Sequence, residues 1–339
     1  MVSVTEVSET PGVRQMEQAA RTAEQAGDMD RALGYFRGLG QIEPQNPKWA
    51  LEAVRILRAS GRGGEAAEAL RQALRKWPNA RQLPDVRHLV PDAPEAELRQ
   101  ALGQDMPPDE ALKRSAIADD GQRDCIMARG GRKTAVIVFT GLADRMVLPL
   151  PLFDRYLAEL DLSAIYLRDR KRIGYMNGVS SLGEDYDDTL ATLRAMLKEM
   201  GAETVHTIGN SAGGIGAVSY GLDLGAKTVM GFSAPVALTR AAADADRRTS
   251  RFAERILGDA VPAGRRDLRA RAEASPETAI HLFYGSEMPE DIYHASWLEP
   301  VKSVVMHPLP GLAGHGALFQ FAQAKGLRPL FREMFGTAD

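Results

Sequence analysis

The sequence predicts an all-α helical domain followed by a larger α/β domain, in which a mostly parallel sheet carries helices on both faces. Residues 13–80 are rich in Ala, Arg, Glu and Gln, a composition that favours helix. From about residue 122, apolar β-rich segments alternate with helical patterns, which is typical of a parallel sheet. We therefore expect a helical domain at 13–105, a linker with Pro and Asp at 106–121, and an α/β domain at 122–339.

The bulk composition excludes several classes of protein. Of the 339 residues, 44% are hydrophobic and 26% are charged, and the net charge of −3 gives no reason to expect nucleic acid as a partner. A single cysteine, Cys125, cannot form an internal disulfide, which suits a reducing compartment. The sequence has neither an apolar signal segment nor an apolar run long enough to span a membrane. We expect a cytoplasmic protein, and because no cluster of ligand residues has suitable spacing, we expect no metal and no cofactor.

Two helical segments repeat with a period of 34 residues. Three pairs of identical residues mark this period, namely Gly27 and Gly61, Ala32 and Ala66, and Pro44 and Pro78. The spacing resembles that of the tetratricopeptide repeat, with Gly between two helices, Ala where they pack, and Pro after the second helix. The resemblance implies two helical hairpins and a protein partner for them. Because two repeats are fewer than a free-standing array needs, we expect them to pack on a further helix near 94–103.

The second domain is predicted from seven strand-like segments. They are DCIMARG, KTAVIVFTG, SAIYLRD, TVHTIGN, KTVMGFSA, AIHLFYG and SVVMHPLP. Helical patterns separate them, namely LFDRYLAEL, DYDDTLATLRAMLKEM, SAGGIGAVSYGLDLG, an insert at 237–276 and, after the last strand, GALFQFAQAKGLRPLFREMF. Because open parallel sheets place their sites at the carboxyl ends of the strands, we expect the functional residues there.

Ser211 follows one of these strands in the stretch Gly209-Asn210-Ser211-Ala212-Gly213. A serine on a strained turn between a strand and a helix needs small residues two positions to either side. The turn exposes the hydroxyl and directs the backbone N–H of Ala212 at a developing oxyanion. A bare G-x-S-x-G is weak evidence, but its strand–turn–helix context predicts that Ser211 is a nucleophile.

A serine nucleophile needs a base and an acid that orients this base. His315 lies in a Gly-rich loop after the last strand, GLAGHGALFQF, from which it can reach the middle of the sheet. The acid should follow the strand AIHLFYG, and the stretch YGSEMPEDIYHASWL offers two candidates. The spacing favours Glu287, which is close to the strand end, whereas Asp291 can alternatively cap the next helix.

The residues from about 122 to the end resemble the α/β-hydrolase superfamily. More narrowly, they are similar to bacterial hydrolase-like proteins found with cell-surface polysaccharide genes, and the segments that carry this resemblance are VIVFTGL, YLRDRKRIGYMNGV, IGNSAGGIGAVSYG, GFSAP, DIYHASWL and LPGLAGHGAL. The resemblance implies Ser211 as nucleophile, His315 as base and Asp291 as acid, so that Asp291 and Glu287 both remain candidates. Because FTGLADR lacks the His-Gly-Gly-Gly of better-known esterases, we expect Gly141 or Leu142 to supply the second oxyanion N–H.

A charged segment, LRDRKRIGYMNG, follows another predicted strand. It either forms a solvated loop or places one or two cations against an anionic part of the substrate. The resemblance includes Asp169, which we expect to shape the loop or to line the site. We therefore name Asp169 and Arg170 as candidate substrate-binding residues.

These patterns support three hypotheses about function. The first is a serine hydrolase of the esterase or thioesterase type, which acts on a small-molecule or glycan acyl ester through an acyl-enzyme. The second is an acyltransferase that passes the acyl group from the same serine to a glycan or another alcohol. The third is a scaffold in which the helical repeats recruit a protein partner.

Overall fold

The chain forms two compact units, Met1–Asp92 and Ala93–Asp339. The computed structural model describes residues 11–77, 95–246, 250–258 and 261–336. The division falls earlier than the sequence predicts, because the last part of the predicted helical domain (13–105) and the predicted linker (106–121) belong to the second unit. Each unit is described by itself below.

Among its described residues, the first unit forms four helices. They are α1 (Pro11–Gln25), α2 (Met29–Ile42), α3 (Pro47–Ala59) and α4 (Gly63–Lys76). Gly27 and Gly61 have φ angles of +78° and +73°, the left-handed conformation that the tight turns after α1 and α3 require. Ala32 and Ala66 are buried between the helices, as the repeat predicts. Pro78, the last residue of the repeat pattern, lies outside the described residues.

The second unit is built on one sheet. Its strands are β1 (Cys125–Ala128), β2 (Thr134–Phe139), β3 (Ser163–Leu167), β4 (Thr204–Asn210), β5 (Thr228–Phe232), β6 (Ala279–Gly285) and β7 (Val304–Leu309). Within the described residues they follow the order β1-β3-β2-β4-β5-β6-β7. β1 pairs antiparallel with β3 at one edge, and the other neighbouring strands are parallel. The mostly parallel sheet predicted from the alternation of segments is confirmed.

Helices precede, connect and follow the strands. They are α5 (Glu95–Leu102), α6 (Leu150–Glu159), α7 (Tyr186–Glu199), α8 (Gly213–Asp223), α9 (Arg240–Ala245), α10 (Ser250–Leu257), α11 (Ala263–Arg266), α12 (Leu268–Glu273), α13 (Pro289–Leu298), α14 (Ala317–Ala324) and α15 (Leu327–Phe335). Two short 3₁₀ turns, Gly103–Asp105 and Asp109–Ala111, follow α5.

Each central strand serves two apolar cores, because successive side chains point to opposite faces of a sheet. In β2, Ile137 joins the core that contains Leu193 of α7 and the first turn of α8, whereas Val138 joins the core that contains Phe153 of α6 and Phe331 of α15. Helices therefore cover both faces, and β2, β3 and β5 are buried between them. This confirms the predicted α/β fold class, a mostly parallel sheet with helices on both faces.

The segment from α5 to residue 121 is an integral part of the second unit. Leu98 and Ile117 lie in one of its two cores. Arg114 and Asp154 form a buried ion pair, with Nη1 and Oδ2 2.7 Å apart. The helix predicted near 94–103 is formed as α5, and the residues after it are packed rather than extended between domains.

The last predicted helix is broken into α14 and α15 at Gly326, which has a φ of +83°. The first backbone N–H groups of α15 have no partner within the helix and need an acceptor. Asp105 supplies it, because its carboxylate accepts the N–H of Leu327 at 2.8 Å and that of Arg328 at 3.0 Å. The same carboxylate also accepts the hydroxyl of Tyr156 at 3.1 Å.

Candidate active site

Ser211 lies on a sharp turn between β4 and α8. It has a φ of +54°, a left-handed conformation that costs a residue with a Cβ about 1–3 kcal/mol. Its N–H donates to the carbonyl oxygen of Phe232 on the neighbouring β5 at 2.8 Å, which helps to hold this conformation. This is the strand–turn–helix geometry of a nucleophile elbow, and it places the serine at the carboxyl end of a central strand.

The glycines around Ser211 are required by close backbone approaches. A Cβ at Gly209 would lie 2.2 Å from the carbonyl oxygen of Gly213, and one at Gly213 would lie 2.1 Å from that of Phe139. A Cβ at Gly214 would lie 2.2 Å from the Cβ of Ala234, after the end of β5. Because these neighbours are backbone or Cβ atoms and cannot rotate away, larger residues would displace the start of α8 and with it Ser211.

Ser211, His315 and Asp291 come together at this edge of the sheet. His315 Nε2 lies 2.7 Å from Ser211 Oγ, and His315 Nδ1 lies 3.0 Å from Asp291 Oδ1. An ionised carboxylate can only accept, so His315 donates from Nδ1–H to Asp291 and accepts the serine hydroxyl at Nε2. Asp291 is 3% exposed, which shields its attraction for the imidazole from water. The three side chains thus form a chain of hydrogen bonds from carboxylate to imidazole to hydroxyl.

Glu287, which the spacing favours as the acid, is exposed and does not occupy the position beside His315. After β6 the chain makes a tight turn in which Met288 N–H donates to the Gly285 carbonyl, and the N–H of Glu287 donates to the Leu312 carbonyl at 3.1 Å. This turn starts α13, whose first turn carries Asp291 toward His315. The number of residues after the end of β6 therefore does not predict which carboxylate lies beside His315.

Two backbone N–H groups were expected to bind an oxyanion beside Ser211. Ala212 directly precedes α8, where backbone N–H groups gather at the positive end of the helix. Gly141 follows β2 and lies beside the elbow, since a Cβ placed on it would be 3.4 Å from that of Ser211. The N–H of Gly141, however, donates to the carbonyl of Arg145 at 3.2 Å. Leu142 is therefore the better candidate of the two for the second donor.

The charged segment after β3 contacts the loop at 140–145 rather than forming an open cationic surface. Arg170 Nη1 and Arg172 Nη2 lie 2.8 Å and 2.9 Å from Asp144 Oδ2. Arg168 is 3% exposed and pairs with Asp119 at 2.5 Å. The cations are held by groups of the chain itself, so the geometry does not favour Arg170 as a ligand for an anionic substrate.

Asp169 shapes this segment from within. Its Oδ2 accepts the backbone N–H of Ile173 at 2.7 Å and that of Tyr175 at 3.2 Å, and the side chain is 3% exposed. Burial raises the pKa of the Asp169 carboxyl, and these N–H donors oppose the shift. The expectation that Asp169 holds the loop in shape agrees with these contacts, whereas a direct contact with substrate remains a prediction.

The insert at 237–276 forms α9 to α12 in its described parts and borders a small cavity. The cavity is mostly apolar and is lined by Pro235, Ala237, Leu238, Phe252, Ile256 and Leu257. His294 closes it on the side of α13, where its Nδ1 accepts the N–H of Ala237 at 3.3 Å and its Nε2 lies 3.4 Å from Asp246. The insert is thereby attached to the helix that carries Asp291.

Among the described residues, no group of three or more His, Cys, Asp and Glu residues could hold a metal ion. No helix within the described ranges is long and apolar enough to cross a membrane.

The first unit matches a family model. The tetratricopeptide repeat model matches residues 23–89. This agrees with the period of 34 residues and with the buried alanines between the helices. The comparison with curated proteins finds no match to this sequence.

Solved structures of two esterases and an O-acetyltransferase are similar to this chain at low identity. Esterase B from Lactobacillus rhamnosis is 14% identical, with 71% of this chain and 90% of the esterase covered and a TM-score of 0.46. The capsule O-acetyltransferase of Neisseria meningitidis serogroup A is 15% identical, with 67% and 100% covered and a TM-score of 0.44. A carboxylesterase of Nitrososphaera gargenis is 14% identical, with 65% and 96% covered and a TM-score of 0.41.

Proposed function

We propose that this protein is a serine hydrolase that cleaves carboxylic esters or thioesters through an acyl-enzyme on Ser211. The observation that carries the proposal is the position of His315, whose two ring nitrogens lie 2.7 Å from Ser211 Oγ and 3.0 Å from Asp291 Oδ1. A serine hydroxyl is a weak nucleophile unless an adjacent base removes its proton, and a base is effective when a third group fixes its tautomer. The three residues meet both conditions.

The first half of the reaction acylates the serine. As Oγ attacks the carbonyl carbon of the substrate, its proton passes to His315 Nε2, and the carbonyl oxygen becomes an oxyanion. Asp291 stabilises the imidazolium that forms. The tetrahedral intermediate then expels the alcohol or thiol, which takes the proton from Nε2, and the acyl group remains on Ser211.

The second half releases the acyl group. A water molecule gives a proton to His315 Nε2 and attacks the acyl carbon. As the resulting tetrahedral intermediate collapses, the bond from the acyl carbon to Ser211 Oγ breaks, His315 Nε2 returns the proton to Oγ, and the carboxylic acid is released. In both halves the N–H groups of Ala212 and Leu142 would donate to the oxyanion. Removal of one such donor typically lowers kcat by about 100- to 1,000-fold, so these groups make a large contribution.

The proposal is tested by labelling with a fluorophosphonate, which reacts with activated serines. We expect one adduct on the peptide that contains Ser211, and we expect Ser211→Ala to abolish both the adduct and ester hydrolysis. Ser296→Ala is the matched control, because Ser296 lies exposed on α13, the helix of Asp291, and bonds only within that helix. Labelling that survives in Ser211→Ala would remove this serine from the mechanism.

Transfer of the acyl group to an alcohol would use the same serine and the same base. Product analysis with and without candidate glycans distinguishes the two reactions, since a hydrolase releases the free acid and a transferase forms a new ester. A panel of esters with increasing acyl length would define the preferred substrate.

We further propose that the first unit recruits a protein partner. The support is its tetratricopeptide repeat match and its helical hairpins. Deletion of residues 1–92, at the boundary between the two units, should abolish capture of such a partner while ester hydrolysis is retained. Loss of hydrolysis together with a folded second unit would contradict the separation of the two roles.

A further inference from the structure

We infer that Arg172 is a positioning residue that holds the turn at 141–144 so that the N–H of Leu142 faces the oxyanion; this inference rests on the proposed function. Arg172 lies in the charged segment LRDRKRIGYMNG, which the proposed chemistry does not otherwise use. Its guanidinium donates from Nη1 to the carbonyl of Leu142 and from Nη2 to Asp144 Oδ2 at 2.9 Å. The planar guanidinium of Arg172 thus links Leu142, the candidate oxyanion donor, to Asp144 at the end of the same turn.

The direction of the Leu142 N–H follows from the peptide to which it belongs. The carbonyl of Gly141 accepts the N–H of Asp144 at 2.9 Å, which closes the turn. A trans peptide is planar, so its N–H points away from its carbonyl, and the N–H of Leu142 is directed out of the turn. Because Arg172 also binds the next carbonyl, that of Leu142, the peptides on both sides of this residue are fixed.

Asp144, at the end of this turn, is bound by three arginine side chains. It has a φ of +60°, an uncommon conformation for a residue other than glycine. Arg170 Nη1 also binds its Oδ2, at 2.8 Å, and Arg168 Nε donates to its backbone carbonyl at 3.0 Å. Three arginines from one segment therefore hold one residue, and Arg172 is the one that also reaches Leu142.

The shape of guanidinium matters for this role. Arginine presents several N–H donors in a fixed planar fork, whereas lysine presents one ammonium on a flexible chain. Lysine at this position could neutralise Asp144 but could not hold the carboxylate and the Leu142 carbonyl with the same geometry. Replacement of Arg172 by lysine therefore distinguishes a role in positioning from a role that needs only positive charge, such as attraction of an anionic substrate.

The experiment compares Arg172→Lys, Arg172→Gly and the control Arg265→Lys in the full chain. Glycine accepts the φ of +52° at position 172, so loss of activity in that variant is not due to backbone strain. Arg265 also binds a carboxylate through its guanidinium, that of Asp187 at 3.0 Å and 3.1 Å, in the same unit. One sample of wild-type protein is labelled with the fluorophosphonate to test whether Ser211 reacts. The kinetic constants kcat and KM for a p-nitrophenyl ester are measured on separate, unlabelled samples of wild type and of each variant.

We expect kcat to fall by about 10- to 100-fold in both Arg172 variants with KM within about threefold of wild type, because an oxyanion donor acts in the transition state. Ethylguanidinium should restore part of kcat to Arg172→Gly, and ethylammonium should not. Amide hydrogen exchange at 141–145 should become faster in Arg172→Gly and should not change in Arg265→Lys.

Full kcat in Arg172→Lys, equal rescue by the two cations, or unchanged exchange at 141–145 in Arg172→Gly would each overturn the inference. If wild-type protein is not labelled at Ser211, the proposed function fails. The exchange measurement then still decides whether Arg172 holds the turn, since it requires no turnover.

Discussion

Replacement of Asp291 by Asn should remove nearly all turnover without unfolding the protein. The carboxylate lies 3.0 Å from His315 Nδ1 in a buried position, and it keeps the proton of the imidazole on that nitrogen. An amide of the same shape can instead donate an N–H to Nδ1, which moves the ring proton to Nε2. The base would then carry its proton on the nitrogen that faces Ser211 and could not accept the one from the hydroxyl.

The expected magnitude is a fall in kcat of about 10⁴-fold, the size seen when a triad acid is replaced in this way. This corresponds to about 5 kcal/mol of transition-state stabilisation. The assay is hydrolysis of a p-nitrophenyl ester under saturating substrate, together with the rate of fluorophosphonate labelling. A melting temperature close to that of wild type would show that the loss is not due to unfolding.

Glu287→Gln is the matched control, because it makes the same change of charge at the other candidate acid. Glu287 is exposed, and we expect its replacement to change kcat by less than about twofold. A larger loss in Glu287→Gln than in Asp291→Asn would show that the loop rearranges and that Glu287 is the acid. Full turnover in both variants would refute a mechanism that needs a carboxylate.

Three further predictions concern the folded state of the second unit. Gly213→Ala should abolish labelling of the elbow, because its methyl group would lie 2.1 Å from a backbone oxygen, whereas Gly264→Ala, where a Cβ meets nothing within 4 Å, should retain it. Asp105→Ala should lower the free energy of unfolding by about 2–4 kcal/mol, because it removes the acceptor of two N–H groups of α15 and of the Tyr156 hydroxyl; a loss below about 0.5 kcal/mol in urea unfolding would contradict this. Burial lowers the pKa of His206 to about 4, so the folded chain keeps it neutral while the unfolded chain binds a proton below about pH 6.5. Stability should therefore fall between pH 6.5 and 4 by up to about 3 kcal/mol, and His206→Gln should reduce this acid loss in urea unfolding at pH 7 and 4.5.

The parts of the site that were predictable from the sequence depend on local geometry. The glycines beside Ser211 are needed because the chain must turn sharply between a strand and a helix, and this need is visible in five consecutive residues. The Gly-rich loop around His315 was recognisable for a similar reason, since it follows the last strand. Requirements of this kind involve residues that are close in the sequence, so a short stretch of sequence is enough to recognise them.

The other features depend on contacts between residues far apart in the sequence. Which of Glu287 and Asp291 lies beside His315 depends on the turn after β6, and a hydrogen bond from the N–H of Glu287 to the carbonyl of Leu312, in another loop, helps to hold this turn. The pairing of Arg172 with Leu142 joins loops that follow two different strands, and a charged segment alone does not show which acceptors it meets. The segment at 106–121 appeared as a linker because its Pro and Asp residues disfavour regular structure, although irregular segments can still pack.

The bond between Asp105 and Leu327 spans 222 residues and affects the order in which the second unit can be completed during synthesis. At a typical elongation rate of 5–20 residues per second, roughly 10–45 s pass between the synthesis of Asp105 and the synthesis of Leu327. During this interval α5 and the segment after it lack the C-terminal helix on which they will pack, so apolar residues such as Leu98 remain available to chaperones or to other chains. The nascent chain is therefore expected to be most prone to aggregation before α15 leaves the ribosome.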